Sequence, residues 1–323
     1  TLATSIYLQL TGAYDKTGAT AMAVVLLTIS MGLFVLERFW LERKSVATLS
    51  GKSSRERTPV TDKSVRIPLV TLCTIISLFV IVLYVLVVFG SLFKIWGRNY
   101  SLSLKWYKYV FKNSGYKVFL DSIWLSLIAA PVTAVLSMII AYLVVKRNFR
   151  GKGFMEAAAI LAMAVPGTVL GVGFIRGFSS GIFHTGFMQG LYGTAAILVI
   201  VFIVRSLPIG TRSGIAALRQ IDKSIEESAY DLGADSFRVF MTVTLPLIRD
   251  SFFSGLVTSF VRSITAISAV ILLVTPQYLL ITVRINENAK KGNYGIACAY
   301  ATILILITYG AIALMNLAAK KRK

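Results

Sequence analysis

The sequence is poor in the residues that build catalytic and metal sites. Its 323 residues include one histidine, His184, and two cysteines, Cys73 and Cys298. Both cysteines lie in apolar stretches, so they predict neither a disulfide framework nor a metal site. The single histidine is predicted in an outside loop and is interpreted as a surface residue, so we predict no Ser/His/Asp or Cys/His arrangement, and a metal site would need more ligands. We therefore expect no metal, no cofactor and no enzymatic activity in this chain.

Acidic residues are also scarce. The chain has 14 Asp and Glu against 34 Lys and Arg, which gives a net charge of +20. Such a balance can indicate nucleic-acid binding. The basic residues here lie between apolar blocks and at the C-terminus, as in membrane proteins that fix their orientation with positive loops. We therefore expect membrane lipid, and no nucleic acid, as a partner.

A complete phosphate-binding loop is missing. Gly51-Lys52-Ser53 matches the end of such a loop, but Val46 stands where its first glycine is needed. The pattern also needs a preceding strand and a following helix, and neither is predicted. We interpret this segment as linker, so an ATP site would have to lie on another chain.

Long apolar blocks dominate the sequence. Hydrophobic residues make up 56% of the chain and charged residues 15%, whereas a soluble domain has about a quarter charged. About 20 apolar residues cross a bilayer as a helix, which satisfies its own backbone there. An all-α, polytopic transmembrane bundle is predicted from seven segments: Ala19–Leu36, Ile67–Phe93, Val118–Val145, Met155–Ile175, Phe187–Val204, Phe252–Val274 and Tyr294–Leu317.

The distribution of basic residues predicts the orientation. Lys and Arg cluster in the linker Glu37–Arg66, after the third segment, after the fifth segment and in the C-terminal tail. These parts fall on one side of the bundle, which we predict to be cytoplasmic. The loop Ser179–Gly190 lacks Lys and Arg, as an outside loop should. The loop Lys94–Lys117 carries several Lys but is predicted outside, against this trend.

The predicted cytoplasmic loop Arg205–Asp250 is too long for a turn and too patterned for disorder. Ser224-Ile225-Glu226-Glu227 predicts a capping box at a helix start, and Gly233 predicts the end of that helix. Asp235 or Ser236 can cap a second short helix, which we expect Pro246 to end. A compact helix–turn–helix on the cytoplasmic face is predicted.

The same loop resembles the EAA loop of ABC importer permeases. That family has Glu-Ala-Ala, then Gly, then Ile-x-Leu-Pro at the spacings seen here, with Ser228 replacing the middle Ala and Val243 replacing Ile. In the family the short helix is a coupling helix that docks on a separate ATPase. The resemblance implies that the ATPase-coupling residues are Glu227, Ser228, Ala229, Gly233, Val243, Leu245 and Pro246.

The wider likeness is to the fused-repeat permeases of ferric-iron importers. It implies a multi-pass protein of the bacterial inner membrane, a partner ATPase homodimer and a periplasmic or surface solute-binding protein. It also implies ferric iron as the solute, with thiamine, polyamines and phosphonates, whose permeases are close relatives, as the alternatives. An ion-coupled secondary transporter is an alternative of another class, but it would need carboxylates within the membrane.

An internal repeat suggests the domain organisation. Gly12-Ala13-Tyr14 and the helix after it resemble Gly292-Asn293-Tyr294 and its following helix, with a two-residue insertion near Lys16. Chance similarity is the alternative, but transporters are commonly built from repeats. We therefore expect residues 1–44 to be the tail of a preceding homologous half, 45–66 a cytoplasmic linker, and 67–323 a six-helix permease domain.

Candidate residues for the translocation path lie in the fourth and sixth segments. Arg262 is predicted about halfway along the sixth, where a charge should face the bundle interior or a water-filled path, or pair with a buried polar group. Thr265 and Ser268 add hydroxyl groups nearby, and Thr265 is the better partner on one helix face. Pro166 and Gly167 interrupt the fourth segment, as a kink or as a broken helix lining a cavity.

The orientation can be tested at the linker Ser45–Lys63, which is polar and basic and is predicted to be cytoplasmic. Protease added to right-side-out membrane vesicles should leave this linker intact, because the bilayer excludes the enzyme. Immunoblotting after digestion measures this, and inside-out vesicles serve as the positive control. Cleavage in right-side-out vesicles would contradict the predicted orientation.

Overall fold

The computed structural model describes residues 1–41, 62–112, 115–179 and 190–320. Most of the predicted linker 45–66 and His184 lie outside this part of the chain. The helices are α1 Leu2–Thr11, α2 Lys16–Leu41, α3 Lys63–Leu92, α4 Lys105–Lys112, α5 Gly115–Lys146, α6 Lys152–Leu161, α7 Gly167–Ser179, α8 Ala195–Arg219, α9 Lys223–Asp231, α10 Ser236–Val239, α11 Leu245–Ile264, α12 Ile281–Lys290 and α13 Tyr294–Lys320. A short antiparallel hairpin, β1 Phe93–Ile95 and β2 Asn99–Leu102, joins α3 to α4.

Six helical stretches of the described residues are long and apolar enough to cross a membrane. They are Lys16–Glu37, Lys63–Leu92, Gly115–Lys146, Ala195–Arg219, Ser236–Ile264 and Tyr294–Met315. The predicted helical membrane bundle is therefore confirmed. The first and third predicted segments each fall within one of these stretches, and the second and seventh extend beyond theirs by one and two residues, to Phe93 and Leu317.

The predicted fourth and sixth segments are not continuous helices. The fourth is divided into α6 and α7 by turns that end at Pro166, because proline cannot continue the helical hydrogen bonding. The sixth ends at Ile264 and is followed by an irregular stretch and a 3₁₀ turn, Val270–Leu272. Both breaks lie in protein contact, where irregular backbone is tolerated within a membrane.

The prediction of the fifth segment and of the following loop is wrong in its boundaries. Helix α8 begins at Ala195 and continues beyond Val204 to Arg219, so Arg205 belongs to a membrane helix rather than a cytoplasmic loop. Polar and small residues after Val204 lower the local hydropathy, which makes this part look like a loop. In the fold, Gly210 and Gly214 of this stretch are buried.

Helices α5, α8 and α11 form the main packed layer of one compact unit, which comprises residues 1–31, 114–284 and 304–323. Small residues let α5 and α8 approach closely: a Cβ added at Gly210 would lie 2.7 Å from the Ser137 Cβ, and one at Gly214 would lie 2.8 Å from the Ala141 Cβ. Such small-residue contacts are typical of helix pairs in membranes. A second cluster joins α1, the start of α2 and α7 through buried residues: Ile6, Ala19, Ala23, Val169 and Val172.

A second unit comprises residues 32–113 and 285–303. In it the β-hairpin and α4 cover the end of α3, where Trp106 Nε1 donates a 2.8 Å hydrogen bond to the Phe93 carbonyl. The Ser91 and Tyr107 hydroxyls are 2.6 Å apart. A Cβ at Gly90 would lie 2.7 Å from the Trp96 ring, so this glycine lets the hairpin pack closely.

The two sequence repeats have the same local structure. Helices α1 and α12 have 10 residues each, and the helices that follow them have 26 and 27 residues. In each copy a short turn with one residue at positive φ, Tyr14 or Gly292, separates the two helices. The first turn is the longer one, where the two-residue insertion is predicted. Duplication itself stays a prediction.

The close approach of α5 and α8 can be tested at Gly214. Gly214→Val should lower the free energy of unfolding by about 1–3 kcal/mol, because the new side chain overlaps Ala141. The measurement is the melting temperature of the purified protein in detergent. Gly255→Val on α11 is the control, since a Cβ there meets nothing within 4 Å. Equal melting temperatures for the two variants would contradict the packing.

Candidate functional site

The predicted coupling helix is formed by α9, but its start differs from the prediction. The Asp222 carboxylate caps it by accepting a 3.1 Å hydrogen bond from the Ser224 N–H, so Ser224 is already the second helical residue and the Ser224–Glu227 capping box is wrong. The Ser224 N–H also lowers the pKa of Asp222. The cap is therefore ionised at neutral pH and weakens only when acidification protonates Asp222.

The predicted end of this helix at Gly233 is confirmed. Gly233 has φ of 84°, a conformation that glycine adopts without strain. Its N–H donates a 2.8 Å hydrogen bond to the Tyr230 carbonyl, and the Ala234 N–H donates one of 3.1 Å to the Ala229 carbonyl. These two bonds make a Schellman motif, which closes the last turn and holds the following chain in one direction.

The second short helix leads directly into a membrane helix. Asp235 caps it as predicted, accepting a 2.7 Å hydrogen bond from the Arg238 N–H. Pro246 does not end it, contrary to the prediction, because α10 continues through a π-helical segment, Phe240–Thr244, into α11. Pro246 lies in the first turn of α11, where proline is tolerated. Motif residue Val243 lies in the π segment and Leu245 begins α11.

Glu226 ties the coupling helix to two membrane helices. Its Oε2 accepts a 2.8 Å hydrogen bond from Lys146 Nζ at the end of α5, and the two side chains are only 14% and 13% exposed. Its Oε1 accepts a 2.9 Å hydrogen bond from the Thr244 hydroxyl, just before α11. The sequence analysis emphasised the neighbouring motif residue Glu227, which is exposed, as is Ser228. The missed signal is Lys146, the first of the basic residues after the third span and the one that lies within the helix.

Behind the coupling helix lies a cavity of about 540 Å³. Residues from α5, α8 and α9 line it, and its charged residues are Lys146, Arg147, Lys152, Arg219, Glu226 and Glu227. Apolar packing supports the same region, since Val239 and Ile248 are buried. The rings of Tyr142 and Phe240 pack edge to face, with their centroids 4.9 Å apart. The part of the chain from α9 to the start of α11, which we call the coupling segment, is thus packed firmly on its inner side.

The outer side of the coupling segment is apolar and exposed. Leu232 is 89% exposed and Phe237 68% exposed, and Ile225 and Met241 are also exposed. A group of large apolar side chains beside a rigid helix is typical of a protein-docking surface. The residues that carry the EAA-like pattern are divided between α9, where Glu227 and Ser228 are exposed, and the segment from Val243 to Pro246 at the start of α11.

The two helix breaks meet each other inside the bundle. A Cβ at Gly167 would lie 2.7 Å from the Ser268 Cβ, and one at Gly171 would lie 2.8 Å from the Ala269 carbonyl oxygen. Of the predicted path residues, Pro166, Gly167 and Ser268 are therefore brought together. A broken fourth helix is confirmed over a simple kink. Thr265 is exposed, and its hydroxyl donates to the Val261 carbonyl of its own helix.

Arg262 lies in the last turn of α11 at this break, rather than halfway along a continuous helix as predicted. Arg205 Nη1 lies 3.5 Å from the Val165 carbonyl, next to Pro166. Arg205 was missed because the sequence analysis placed it in a loop, although it stands beside a long apolar run.

Comparisons with known proteins agree with this architecture. The family model "Binding-protein-dependent transport system inner membrane component" matches residues 133–323. The ferric transport system permease protein FbpB of Actinobacillus pleuropneumoniae is 34% identical over 320 residues, covering 96% of this chain and 45% of that protein. Putative FbpB 1 of Haemophilus influenzae is 36% identical over 283 residues, covering 85% of this chain and 43% of that protein.

A solved structure has the same fold. The bacterial ABC transporter that imports the acidic polysaccharide alginate aligns with a TM-score of 0.63 at 16% identity, covering 79% of this chain and 95% of that chain. The helical bundle and the family match define a multi-pass permease component of the ABC importer type in the inner membrane. The chain belongs to the binding-protein-dependent transport system inner membrane component family. It spans less than half the length of the two FbpB relatives.

The Glu226 link can be tested by breaking it from either side. Glu226→Ala should lower the free energy of unfolding by about 1–3 kcal/mol, because it leaves the largely buried Lys146 ammonium unpaired. When Lys146→Met is added to Glu226→Ala, most of the lost stability should return, because no unpaired ammonium remains. A double-mutant cycle of melting temperatures measures this effect. Glu227→Ala, at the exposed neighbour, is the control. Additive effects of the two substitutions would contradict the link.

Proposed function

We propose that this chain forms the solute path of an ATP-driven importer and is coupled to a separate cytoplasmic ATPase through α9 and the segment up to Pro246. The observation that carries this proposal is the construction of α9. The helix is capped at both ends, presents an exposed apolar side, and is linked by Glu226 to α5 and to the start of α11. A docking protein could therefore move two membrane helices through one rigid element.

The transmission follows from the contacts on the inner side. A displacement of α9 would be transmitted by Glu226, through its ion pair to Lys146 and its hydrogen bond to Thr244. Because α10, the π segment and α11 are continuous, displacement at Phe240 is passed directly to the membrane helix. Close packing of Ile248 with Leu218 and Val144 limits compression of the layer. ATPase closure would thus tilt α11 relative to α8.

The partners follow from the family. We propose that a pair of ATPase subunits binds the predicted cytoplasmic face and that a periplasmic or surface solute-binding protein delivers the solute on the opposite side. One structure with the same fold is the alginate ABC transporter in complex with its alginate pentasaccharide-bound periplasmic protein, with a TM-score of 0.61 and 16% identity. ATP hydrolysis is assigned to the partner, and this chain performs no chemistry on the solute.

We propose ferric iron as the transported element, supported by the names of the two relatives that match most of this chain. A solute of the sulfate type is the second candidate. Permeases named as probable sulfate transport system proteins are 25–27% identical over about 60% of the chain. Nothing in the described structure favours thiamine, polyamine or phosphonate.

An ion-coupled secondary transporter is not favoured by the site. Cation coupling needs carboxylates that bind and release an ion within the membrane. Asp121 is the one buried acid of the described residues, and it lies in the second turn of α5. The breaks are lined instead by Arg205 and Arg262.

We propose in addition that the chain is built from two homologous parts. The matched pairs α1–α2 and α12–α13 support this duplication, as does the recurrence of a positive-φ residue between the helices of each pair. Residues 1–44 would then belong to one permease half, 45–66 to a linker and 67–323 to the other half. The solute path would lie between the halves.

Coupling is tested by two substitutions in α9 and its terminus. Gly233→Val should strain the positive-φ position by about 1–2 kcal/mol. Glu227→Ala removes an exposed charge from α9. Neither touches a membrane helix, so both variants should reach the membrane normally but lose ATPase association or solute-stimulated ATP hydrolysis. The measurement is ATP hydrolysis by the reconstituted complex, with and without loaded binding protein.

Gly97→Val is the matched control for the first variant. Gly97 also has positive φ, 79°, but it lies in the β1–β2 turn, so the same strain should leave coupling unchanged. If Gly233→Val and Glu227→Ala both show normal stimulation by the loaded binding protein, α9 is not the element that transmits ATPase closure.

A further inference from the structure

The loop between α3 and α5 carries a positive charge that neither the orientation nor the coupling segment explains. From Phe93 to Leu120 the sequence contains no Asp or Glu, and this loop is predicted to lie outside, where basic residues are normally few. Aromatic residues are interleaved with the basic ones, as in Lys105-Trp106-Tyr107-Lys108-Tyr109. The basic residues of the loop are Lys94, Arg98, Lys105, Lys108, Lys112 and Lys117.

Hydrogen bonds hold the start of α4 at the depth where α3 ends. The Ser103 N–H donates a 2.7 Å hydrogen bond to the carbonyl of Leu92, the last residue of α3. The Trp106 indole and the Tyr107 hydroxyl, in the first turn of α4, reach back to the same end of α3. The β-hairpin therefore returns the chain to its starting depth, and the first turn of α4 lies beside the last turn of α3.

That depth is the headgroup layer of the membrane. Helix α3 is a candidate span of 30 residues, so its helical rise covers about 45 Å, close to the thickness of a bilayer with its headgroups. Helix α5, another candidate span, begins at Gly115, shortly after α4 ends at Lys112. Because one span ends beside the first turn of α4 and the next begins just beyond its last residue, α4 lies at the membrane surface.

Helix α4 presents a basic face on the side away from α3. Lys105, Lys108 and Lys112 have the spacing that puts side chains on one helix face, and all three are exposed, as is Tyr109 between them. The opposite face carries Val110, which is 1% exposed. None of the three lysines forms an ion pair within the described part of the chain. Their charges are therefore available to an external anion.

Large apolar side chains are exposed next to this basic face. Leu102 is 67% exposed and Tyr100 61% exposed, both in β2, and Leu104 immediately before α4 is exposed as well. Apolar and aromatic side chains beside lysines are typical of segments that lie in the membrane interface, where the apolar groups enter the acyl boundary and the lysines extend to the headgroups. The depth of α4 favours lipid over a soluble protein, because headgroup phosphates surround the lysines whether or not a binding protein is docked.

We propose that α4 binds anionic phospholipid headgroups, and that Lys105, Lys108 and Lys112 hold the headgroup phosphates in the leaflet on the predicted outer side. Phosphate oxygens accept charge-assisted hydrogen bonds from lysine ammonium groups, and several lysines together attract an anionic bilayer surface. The bound lipid would anchor the end of α3, which the hairpin and α4 cover. This inference depends neither on the transported solute nor on ATPase coupling.

The test identifies what lies against α4 by site-specific photocrosslinking. The full transporter carries p-benzoylphenylalanine in place of Tyr109 and is reconstituted in vesicles of equimolar phosphatidylglycerol and phosphatidylcholine, with and without the solute-binding protein. Mass spectrometry of the crosslinked peptide identifies the adduct. Phosphatidylglycerol adducts should exceed phosphatidylcholine adducts about tenfold or more, because each lysine near an anionic surface contributes about fivefold, and high salt should reduce this preference.

Matched variants separate charge from position. Replacing Lys105, Lys108 and Lys112 together by Gln should bring the adduct ratio close to the equimolar lipid composition, whereas replacing all three by Arg should keep the preference. The same photoreactive residue in place of Ile76, an exposed position in the middle of α3, is the control, and it should crosslink both lipids equally because no charge lies near it. A monodisperse profile in detergent reports whether each variant is assembled.

Four results would overturn the lipid site. The first is equal crosslinking of both lipids at position 109 of the otherwise unchanged transporter, and the second is an undiminished preference in the triple Gln variant. The third is the absence of any lipid adduct at position 109 although position 76 gives one. The fourth is a crosslink to the solute-binding protein in place of lipid, which would assign the basic face of α4 to protein docking.

Discussion

A bilayer cannot supply hydrogen bonds to a peptide group, and this constraint organises the whole structure. Every lipid-facing segment must satisfy its own backbone, so the described membrane segments are long helices. Irregular backbone can exist at that depth only where protein surrounds it. The two breaks, at Pro166–Gly167 and after Ile264, accordingly lie against each other, with Gly167 and Gly171 allowing the contact. Arg205 of α8 reaches the first break, where its Nη1 lies 3.5 Å from the Val165 carbonyl.

The same helices connect this interior to the predicted cytoplasmic face. Helix α8 carries Arg205 in its middle and ends at Arg219 beside the cavity, while the helix that carries Arg262 begins next to Thr244. Glu226 holds that end of the layer together. A tilt of α11 relative to α8, driven at Thr244, would therefore move Arg262 relative to Arg205.

Sequence reasoning succeeded where one local property decided the outcome. Long apolar runs predicted four membrane helices to within two residues of the stretches that the structure shows, and the lack of a side chain at Gly233 predicted its positive φ. It failed where two local signals competed. Asp222 rather than Ser224 caps α9, since both residue types favour that position and only the chain path selects one. Pro246 indicates either the end of one helix or the first turn of the next, and the packing of α11 decides for the latter.

The sequence by itself determined the class of protein: its apolar blocks require a membrane bundle, its basic loops orient that bundle, and the Glu227 to Pro246 spacing indicates the family. Only the tertiary structure decided which residues meet at the coupling helix and at the helix breaks. Glu226 and Lys146 are 80 residues apart in the chain, and Arg205 and Arg262 belong to different helices. Whether such residues meet depends on helix crossing and rotation. Those depend on where small residues such as Gly210, Gly214 and Gly167 permit backbone contact, a property of paired surfaces rather than of any single segment.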